Sequence, residues 1–272
     1  MELKDKVAIV TGGGRGAGEG IARVMAREGA RLAVVDLNLE NARRVANSID
    51  PTGTRAIAIH ADVSRKADAE AMVAETMRAF GTVDILVNNA GIEGPPVLLQ
   101  DLAEEQWDRV MGVNAKGVLL CCQAVLPTMI ARMRGKIVNI DSIAGIRMTF
   151  FGSIDYTASK HAVTGLTRHL AWEVADHGIN VNAVCPGGIL TPLMEQSTRP
   201  EMRDAIVKRV VPLGRFCKIE EIGEAASFLS SERANMITGQ LLAVDGGVLT
   251  GYGEDLRSVL RQRMEDRNAL EH

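Results

Sequence analysis

The hydrophobic positions along the chain form short, continuous apolar runs that alternate with longer amphipathic segments. Seven of these runs are predicted to be strands: residues 6–10, 31–35, 55–60, 83–87, 136–140, 179–184 and 241–244. Apolar runs of this length are typical of parallel strands that are buried on both faces. The regular alternation of strand and helix predicts an α/β fold, a doubly wound parallel sheet of about seven strands with helices on both faces.

The same pattern indicates how the chain is organised. It contains no internal repeat and no low-complexity linker, so residues 1–250 are predicted to form a single domain. Residues 251–269 are predicted to be a helical extension with the apolar stripe Leu256, Val259, Leu260 and Met264. Residues 270–272 resemble the remnant of an expression tag.

Composition and charge exclude several classes of protein. With 46% apolar and 24% charged residues, the composition is that of a soluble globular protein. The formal net charge of −3 leaves no basic footprint, so nucleic acid is not expected as a partner. The longest apolar run, residues 117–126, is too short to span a bilayer, and no signal peptide is expected. The four cysteines lack C-x-x-C or zinc spacing, which predicts a reduced, cytoplasmic chain without a metal.

The first predicted strand leads directly into a glycine-rich segment, TGGGRGAG at residues 11–18, and a helical pattern follows at once. A turn of this kind brings backbone N–H groups close to a phosphate, and the helix N-terminus adds partial positive charge. The segment therefore favours a nucleotide-binding loop. The alternative is a turn whose glycines only allow the helix and the strand to pack closely.

Two acidic residues follow the second and third predicted strands. Asp36 lies where a dinucleotide fold places an acid on the adenosine ribose, and its carboxylate would repel a 2′-phosphate, which favours NAD over NADP. Arg15 in the glycine loop could meet a 2′-phosphate, or it could be a solvated loop charge. Asp62 and Val63 are predicted to hold the adenine. Asp62 could instead cap the next helix, a role for which Ser64 competes.

A second group of polar residues predicts proton transfer. Tyr156 and Lys160 lie four residues apart on one face of a predicted helix, where a fixed ammonium favours the phenolate. The pair could therefore move a proton on a substrate oxygen, although the same spacing also arises by chance on solvated helices. Asn114 lies inside a predicted helix, and Ser142 follows the fifth strand. The alternatives are a tolerated polar residue for Asn114 and a turn residue for Ser142.

Together these motifs resemble the short-chain dehydrogenase/reductase family over residues 3–248. The family pattern T-G-x-x-x-G-x-G matches residues 11–18, N-N-A-G matches residues 88–91 and Y-x-x-x-K matches residues 156–160. The resemblance implies a Rossmann-type fold and the catalytic set Asn114, Ser142, Tyr156 and Lys160. With the residues above, it gives a predicted cofactor site of Gly12, Arg15, Gly16, Gly18, Asp36, Asp62, Val63, Asn88, Ala90, Gly91, Tyr156, Lys160, Pro186, Gly187, Ile189 and Thr191.

The resemblance also implies a mechanism. Tyr156, as phenolate, removes the alcohol proton while hydride passes to NAD, and Ser142 hydrogen-bonds the same oxygen. Lys160 binds the nicotinamide ribose and, with the positive nicotinamide ring, lowers the tyrosine pKa; a shift from about 10 to about 7 needs about 4 kcal/mol. Asn114 distorts its helix and holds a water that links Lys160 to solvent. The chain departs from the commonest family pattern in a Ser142–Tyr156 spacing that is one residue longer, in Asp141, where many members have a small residue, and in a C-terminal extension that is longer than in many members.

The predicted substrate pocket is mostly apolar and consists of Ser142, Ile143, Phe150, Phe151, Tyr156, Leu190 and Met194. This lining predicts a hydrophobic secondary alcohol and its ketone, cyclic or aryl-bearing compounds included. The alternatives are a 3-oxoacyl-thioester or sugar/polyol reductase of the same family, and a catalytically silent NAD-sensing scaffold. The resemblance also implies a homotetramer packed through two long helices, to which the small residues Ala158, Ala162 and Gly165 would contribute.

Overall fold

Seven parallel strands form one continuous sheet at the centre of the domain. The computed structural model describes residues 1–95, 97–149, 152–190 and 200–251, with side chains omitted at residues 202 and 203. The strands are β1 (Val7–Thr11), β2 (Arg31–Asp36), β3 (Ala56–His60), β4 (Ile85–Asn88), β5 (Gly135–Ile140), β6 (Ile179–Pro186) and β7 (Leu241–Val244). Their order across the sheet is β3-β2-β1-β4-β5-β6-β7. The predicted fold class is therefore confirmed.

Helices cover both faces of this sheet. They are α1 (Gly16–Arg27), α2 (Leu39–Ile49), α3 (Lys66–Phe80), α4 (Glu104–Met111), α5 (Gly117–Ala131), α6 (Ile154–Glu173), α7 (Pro200–Val210) and α8 (Ile219–Ser230). The buried side chains of α1, α2 and α8 share one apolar cluster, and those of α3, α5 and α6 share the other. The sheet thus lies between two helical layers.

The strand sequences explain this sandwich. Within β1, Ile9 belongs to the cluster under α3, α5 and α6, whereas Ala8 and Val10 belong to the cluster on the opposite face. Successive side chains of a strand point to opposite faces, so a run that is apolar at every position is buried on both sides. Full burial of each such valine or isoleucine contributes about 1.5–3 kcal/mol, and the unbroken apolar runs therefore fix these strands at the centre of the domain.

The strand order reverses between β1 and β4, and this reversal positions the functional site. From β1 the chain moves outward through β2 and β3, then crosses back to β4 and continues to β7. At such a point the loops after the two strands separate and leave a crevice beyond their carboxyl ends. Thr11 and Asn88 end the two strands that flank the crevice.

One helical segment has the length and composition of a membrane span. Within the described ranges, Glu104–Ala131 is long and apolar enough to cross a bilayer by these two criteria, and 44% of its apolar window is buried inside the domain. Val118, Cys121 and Val125 of α5 belong to the core cluster shared with α3. The apolar character of α5 is therefore explained by its packing against α3 and the sheet.

The predicted helix that carries Tyr156 and Lys160 is α6, which begins at Ile154, ends at Glu173 and is followed by a turn at Ala175–His177. Apart from Gly251, the predicted C-terminal extension (residues 251–269) and the predicted tag remnant (residues 270–272) lie outside the described residues and stay predictions.

Candidate active site

The glycine loop after β1 is shaped by contacts that leave no room for side chains. Gly12 has a φ of +61°, and a Cβ on it would lie 2.9 Å from Ala90 Cα. A Cβ on Gly18 would lie 2.0 Å from the Gly12 carbonyl oxygen. The Asn89 side chain donates to the carbonyls of Thr11 and Gly12, at 3.0 Å each, and fixes the loop against the end of β4. The loop is thus a backbone-lined cradle at the start of α1, the form that suits a phosphate.

Asp36, at the end of β2, is held beside this loop in a fixed orientation. Its Oδ2 accepts a hydrogen bond from the Gly14 amide at 3.0 Å, and its Oδ1 accepts one from the Asn38 amide at 2.9 Å. A Cβ on Gly14 would come within 2.8 Å of Oδ2, so the loop needs glycine there. Arg15 and Asp36 line the same surface depression. The structure therefore places Asp36, which favours NAD, and Arg15, which could meet a 2′-phosphate, at the same depression.

Two other predicted cofactor residues, Asp62 and Val63, have side chains that already contact other residues of the protein. Asp62 Oδ1 accepts from the Ser64 amide at 3.0 Å and from its hydroxyl at 2.7 Å, which makes a turn before α3. The N-cap of α3 is Arg65, without a side-chain cap bond, so the capping alternative for Asp62 and Ser64 is wrong. Val63 is 7% exposed and belongs to the core cluster under α3 and α5.

Asn88 also points away from the crevice. Its side-chain amide donates to Asn139 Oδ1 at 2.9 Å and to Cys122 Sγ at 3.4 Å, and the residue is 3% exposed. Its side chain is therefore part of the core, and contact with a cofactor would be through the backbone. The following residues, Ala90 and Gly91, lie at the crevice, where a Cβ on Gly91 would lie 4.0 Å from Lys160 Nζ.

Asn114 lies in a π-helical segment, Gly112–Lys116, which joins α4 and α5. Its Oδ1 accepts from the Ile92 amide at 2.8 Å, and its Nδ2 donates to the Ile92 carbonyl at 2.9 Å and to Ser159 Oγ at 3.0 Å. Ser159 in turn donates to the Tyr156 carbonyl at 2.7 Å. The predicted distortion of the helix is confirmed. The side chain ties the loop after β4 to the helix that carries Tyr156, and the water it was expected to hold stays a prediction.

Ser142, Tyr156 and Lys160 meet beyond the end of β5. Ser142 Oγ accepts from the Ala144 amide at 3.0 Å, and its hydroxyl lies close enough to the Tyr156 phenol to lower the pKa of that phenol. One turn along α6, Lys160 is 6% exposed, and its Nζ lies 5.6 Å from the centre of the tyrosine ring. Nζ donates to the Ile140 carbonyl at 2.9 Å, which fixes the ammonium under the tyrosine.

The electrostatics at Tyr156 differ from the sequence expectation. Burial raises the pKa of its phenol above the ordinary value, the charge of Glu93 raises this pKa further, and the Ser142 hydroxyl lowers it. Burial likewise lowers the pKa of Lys160, against the attraction of Asp141, Cys185 and Glu93. Desolvation and nearby carboxylates therefore raise the tyrosine pKa in the protein alone. The predicted lowering of this pKa by Lys160 together with the nicotinamide ring stays a prediction.

Glu93 is a functional candidate that sequence reasoning missed. It lies at the surface in the loop after β4, two residues beyond Gly91, and its charge reaches both Tyr156 and Lys160. Partial desolvation by the surrounding protein raises the pKa of Glu93, and the charge of Lys160 lowers it. The backbone before Glu93 is fixed because Asn114 binds both polar groups of Ile92. The signal in the sequence was an acid just after the N-N-A-G motif.

The apolar side of the site is formed by the loops after β5 and β6. Ile143 is 4% exposed and clusters with Leu190, which is partly buried. Other members of this cluster are Val207, Val210, Val211, Phe216 and Val248. Ile189 pairs with Cys217 and packs on the cluster of α1, α2 and α8. Four predicted residues, Phe150, Phe151, Thr191 and Met194, lie outside the described residues.

Pro186 ends β6, and Gly187 continues from it with its amide donating to the Val244 carbonyl at 3.1 Å. A Cβ on Gly187 would lie 3.0 Å from Asp245 Cα, so this turn also requires close backbone packing. The turn leads into the apolar wall at Ile189 and Leu190. In the part of the chain that the structure describes, no three His, Cys, Asp or Glu side chains form a group able to hold a metal ion.

Comparison with known proteins identifies the family. A family model described as enoyl-(acyl carrier protein) reductase matches residues 12–249. The chain is 39% identical over 245 residues to 3-oxoacyl-(acyl-carrier-protein) reductase FabG of Staphylococcus epidermidis, covering 90% of this chain and 99% of that protein. The chain belongs to the short-chain dehydrogenase/reductase family. This is a family of oxidoreductases that use a nicotinamide cofactor, NAD or NADP.

Two further relatives support this assignment. The chain is 40% identical over 245 residues to 2-(R)-hydroxypropyl-CoM dehydrogenase of Xanthobacter autotrophicus, covering 89% of this chain and 97% of that protein. The solved structure of gox2181 superposes with a TM-score of 0.86 at 33% identity, covering 92% of this chain and 98% of that one. The similarity thus extends over nearly the whole length of both proteins.

The residues of this short-chain dehydrogenase/reductase fit a nicotinamide dinucleotide. The cradle at Gly12 and Gly18 has no space for side chains and presents backbone to a phosphate. Asp36 is fixed beside that cradle by the Gly14 amide, and Lys160 is fixed beside Tyr156 by the Ile140 carbonyl. When bound, the cofactor supplies the hydride-accepting or hydride-donating carbon.

A second missed feature fixes Tyr156 from its N-terminal side. Asp155 is completely buried and accepts from the Tyr156 amide at 2.9 Å, from the Ser153 hydroxyl and, at 2.9 Å, from Gln106 Nε2. Burial alone would raise the pKa of this carboxyl, but the hydrogen bonds from Ser153 and Gln106 hold it below its ordinary value. Gln106 also donates to the Pro95 carbonyl at 3.2 Å. Both ends of the Glu93 loop are thus tied to the site.

Proposed function

We propose that the protein is an NAD-preferring dehydrogenase that interconverts an uncharged, apolar secondary alcohol and its ketone. The observation that carries this proposal is the meeting of Tyr156, Ser142 and Lys160 beside the apolar residues Ile143 and Leu190. The first three can bind and protonate an oxygen, and the other two offer no polar group to a substrate. The similarity to a 2-(R)-hydroxypropyl-CoM dehydrogenase supports oxidation of a secondary alcohol.

In oxidation, three residues of the chain act on the substrate oxygen. Ser142 donates to this oxygen and holds it within reach of Tyr156. Tyr156, as phenolate, takes the hydroxyl proton, and Lys160 stabilises the negative charge of the phenolate. In reduction, Tyr156 returns the proton to the same oxygen. The protein's own groups raise the tyrosine pKa, and the positive charge of an oxidised nicotinamide, when bound, would favour the phenolate.

Asp36 supports the preference for NAD. Its two oxygens are oriented by the Gly14 and Asn38 amides, at 3.0 and 2.9 Å, at the edge of the cradle. A carboxylate there accepts hydrogen bonds from ribose hydroxyls and repels a 2′-phosphate. Arg15 lines the same depression, and its positive charge would favour NADP. A fixed anion close to the ribose outweighs a flexible loop cation.

Glu93 supports the choice of an uncharged substrate. Its carboxylate acts on both Tyr156 and Lys160, so an anionic group entering beside the phenol meets like charge. The second candidate is reduction of a 3-oxoacyl thioester, which the similarity to FabG favours. A sugar or polyol reductase and a catalytically silent scaffold remain weaker alternatives, the latter because Tyr156, Lys160, Ser142 and Asn114 are all present and connected.

A homotetramer and a cytoplasmic location belong to the same proposal. On α6, Gly165 has open space where a Cβ would point, and Trp172 is 80% exposed. On α5, Leu119 is 40% exposed. An exposed tryptophan next to a small-residue stripe supports packing of these helices against a second copy of the chain. Neither nucleic acid nor membrane is proposed as a partner.

The test is a panel of alcohols and ketones followed through NADH and NADPH absorbance. The proposal expects turnover of apolar secondary alcohols with NAD, and weak activity with sugar acids and carboxylate-bearing ketones. Equal turnover of charged sugar acids and apolar ketones would contradict the substrate class. Turnover confined to 3-oxoacyl thioesters with NADPH would establish the second candidate instead.

A further inference from the structure

Asp141 is a buried carboxylate behind the catalytic residues, and it has no role in the mechanism above. It lies between Ile140 and Ser142 at the end of β5 and is 3% exposed. Its Oδ2 accepts from Thr164 Oγ1 at 2.8 Å, whereas its Oδ1 is buried without a hydrogen-bond partner. A carboxylate with one unsatisfied oxygen in the interior is costly, so its presence there requires an explanation.

The fold makes room for this carboxylate. A Cβ on Gly145 would lie 2.5 Å from Asp141 Oδ2, so the turn after Ser142 accommodates the acid only because residue 145 is glycine. Thr164 contacts both Asp141 Oδ2 and the Gly145 carbonyl, the latter at 3.0 Å. The turn at Gly145 and the Thr164 side chain of α6 thus hold the Asp141 carboxylate in one orientation.

Lys160 is the charge that this carboxylate faces. It lies one turn before Thr164 on α6, and its Nζ donates to the carbonyl of Ile140, the residue next to Asp141. Other titratable groups around Asp141 are His161 on α6 and the Cys185 thiol on β6, with Arg168 acting on the thiol and Tyr156 in front. Burial raises the pKa of Asp141 to about 6, against the charge of Lys160.

We propose that Asp141 is a positioning residue that acts through Lys160: it is the buried counter-charge behind the ammonium, and it sets the pH at which the phenol loses its proton. The proposal rests on the proposed function for the role of Tyr156. A negative charge behind the lysine offsets part of its effect, so the carboxylate keeps the tyrosine pKa higher than Lys160 alone would allow. Removing the charge should therefore make the phenolate form at lower pH.

The tyrosine content of the chain allows a direct measurement. The sequence contains 2 tyrosines, Tyr156 and Tyr252. In a Tyr252→Phe background, ultraviolet difference titration of the phenolate reports Tyr156 alone. The titration is run with saturating NAD⁺ on three proteins: the background, Asp141→Asn in that background, and Asp176→Asn, which alters an exposed aspartate with a side chain 81% accessible.

The proposal expects the Tyr156 midpoint to fall by about half a pH unit or more in Asp141→Asn, by the loss of one nearby charge, and to stay unchanged in Asp176→Asn. An unchanged or higher midpoint in folded Asp141→Asn protein overturns it. Asp141→Ala is the second variant if Asp141→Asn does not fold, because it also removes the charge and leaves no buried carboxylate oxygen without a partner. The midpoint should fall in the same direction, and an unchanged or higher midpoint overturns the proposal.

The titration also separates this inference from the proposed function. A lowered midpoint together with absent alcohol turnover would leave the role of Asp141 intact and refute the dehydrogenase activity. Alcohol turnover with an unshifted midpoint would do the reverse. In an active enzyme, the acid limb of the oxidation rate should move to lower pH by the same amount in Asp141→Asn.

Discussion

Gln106 Nε2, on α4, donates to Asp155 Oδ2 at 2.9 Å and joins α4 to the first turn of the helix that carries Tyr156. The two residues are 49 positions apart, and the same amide group also binds the Pro95 carbonyl. Since Asp155 accepts from the Tyr156 amide, this contact connects the Glu93 loop to the position of the phenol. Neither residue belongs to a motif that would have indicated this contact.

Gln106→Leu should weaken both stability and catalysis. A hydrogen bond to a charged carboxylate contributes about 1.5–3 kcal/mol, and this one is part-buried, so the free energy of unfolding should fall by about the lower end of that range. We expect a fall in kcat and a smaller change in KM, because Gln106 no longer connects the start of the Tyr156 helix to the Glu93 loop. Denaturant unfolding and steady-state kinetics measure both. Gln100→Leu, at an exposed position, is the matched control, and equal effects in the two variants would contradict this role.

Asp36→Asn should shift cofactor preference toward NADP. The amide keeps one acceptor for the Gly14 amide while it removes the charge, so the loop is preserved better than by alanine. The ratio of kcat/KM for NADP to that for NAD should rise about tenfold or more, equivalent to about 1.4 kcal/mol. In the same background, Arg15→Ala should reduce NADP use. A ratio that does not change would argue against the ribose role of Asp36.

Asp141→Asn should stabilise the protein at alkaline pH. Because burial raises the Asp141 pKa from its ordinary value to about 6, the folded state binds this proton more tightly than the unfolded state. The carboxylate therefore costs nothing below the unfolded pKa and costs most above the folded one, up to about 3 kcal/mol for about two pKa units. The gain in free energy of unfolding should be fully present at pH 8 and mostly lost at pH 4. A gain independent of pH would refute this cause.

Glu93→Gln should broaden the enzyme toward anionic substrates. The substitution removes a negative charge that acts on both Tyr156 and Lys160. The ratio of kcat/KM for a carboxylate-bearing ketone to that for a neutral ketone should rise several-fold, and the rise should shrink with added salt because Glu93 is exposed. Glu105→Gln, an exposed acid on α4, should leave the ratio unchanged. An unchanged ratio in Glu93→Gln would contradict a role of Glu93 in substrate specificity.

The sheet and the glycine loop could be predicted because their signals are local. Continuous apolar runs determine which strands are buried on both faces, and a strand that runs into glycines determines the cradle. The predicted strand boundaries differ from the observed ones by one or two residues, as at β4, which begins at Ile85 and was predicted to begin at residue 83. The distortion at Asn114 was also predictable, since an asparagine inside a helix needs a partner outside it.

The electrostatics of the site could not be predicted in the same way. The pKa of Tyr156 depends on how far it is desolvated and on Glu93, a residue 63 positions away that only the loop geometry brings near. Asn88 follows its motif in sequence, yet its side chain turns into the core because Asn139 and Cys122 offer partners there. The hydrogen bond between Gln106 and Asp155 likewise depends on the packing of α4 against α6, which a single sequence does not reveal.

The central claim, that Tyr156 is the proton-transferring residue of an NAD-linked alcohol dehydrogenase, is tested most directly by Tyr156→Phe. The variant keeps the ring and removes the hydroxyl whose pKa Ser142 lowers. NADH formation from a panel of apolar secondary alcohols should fall by at least about a hundredfold, while NADH binding, followed by fluorescence, should be retained. Rates that are indistinguishable between Tyr156→Phe and the unaltered protein would contradict the account.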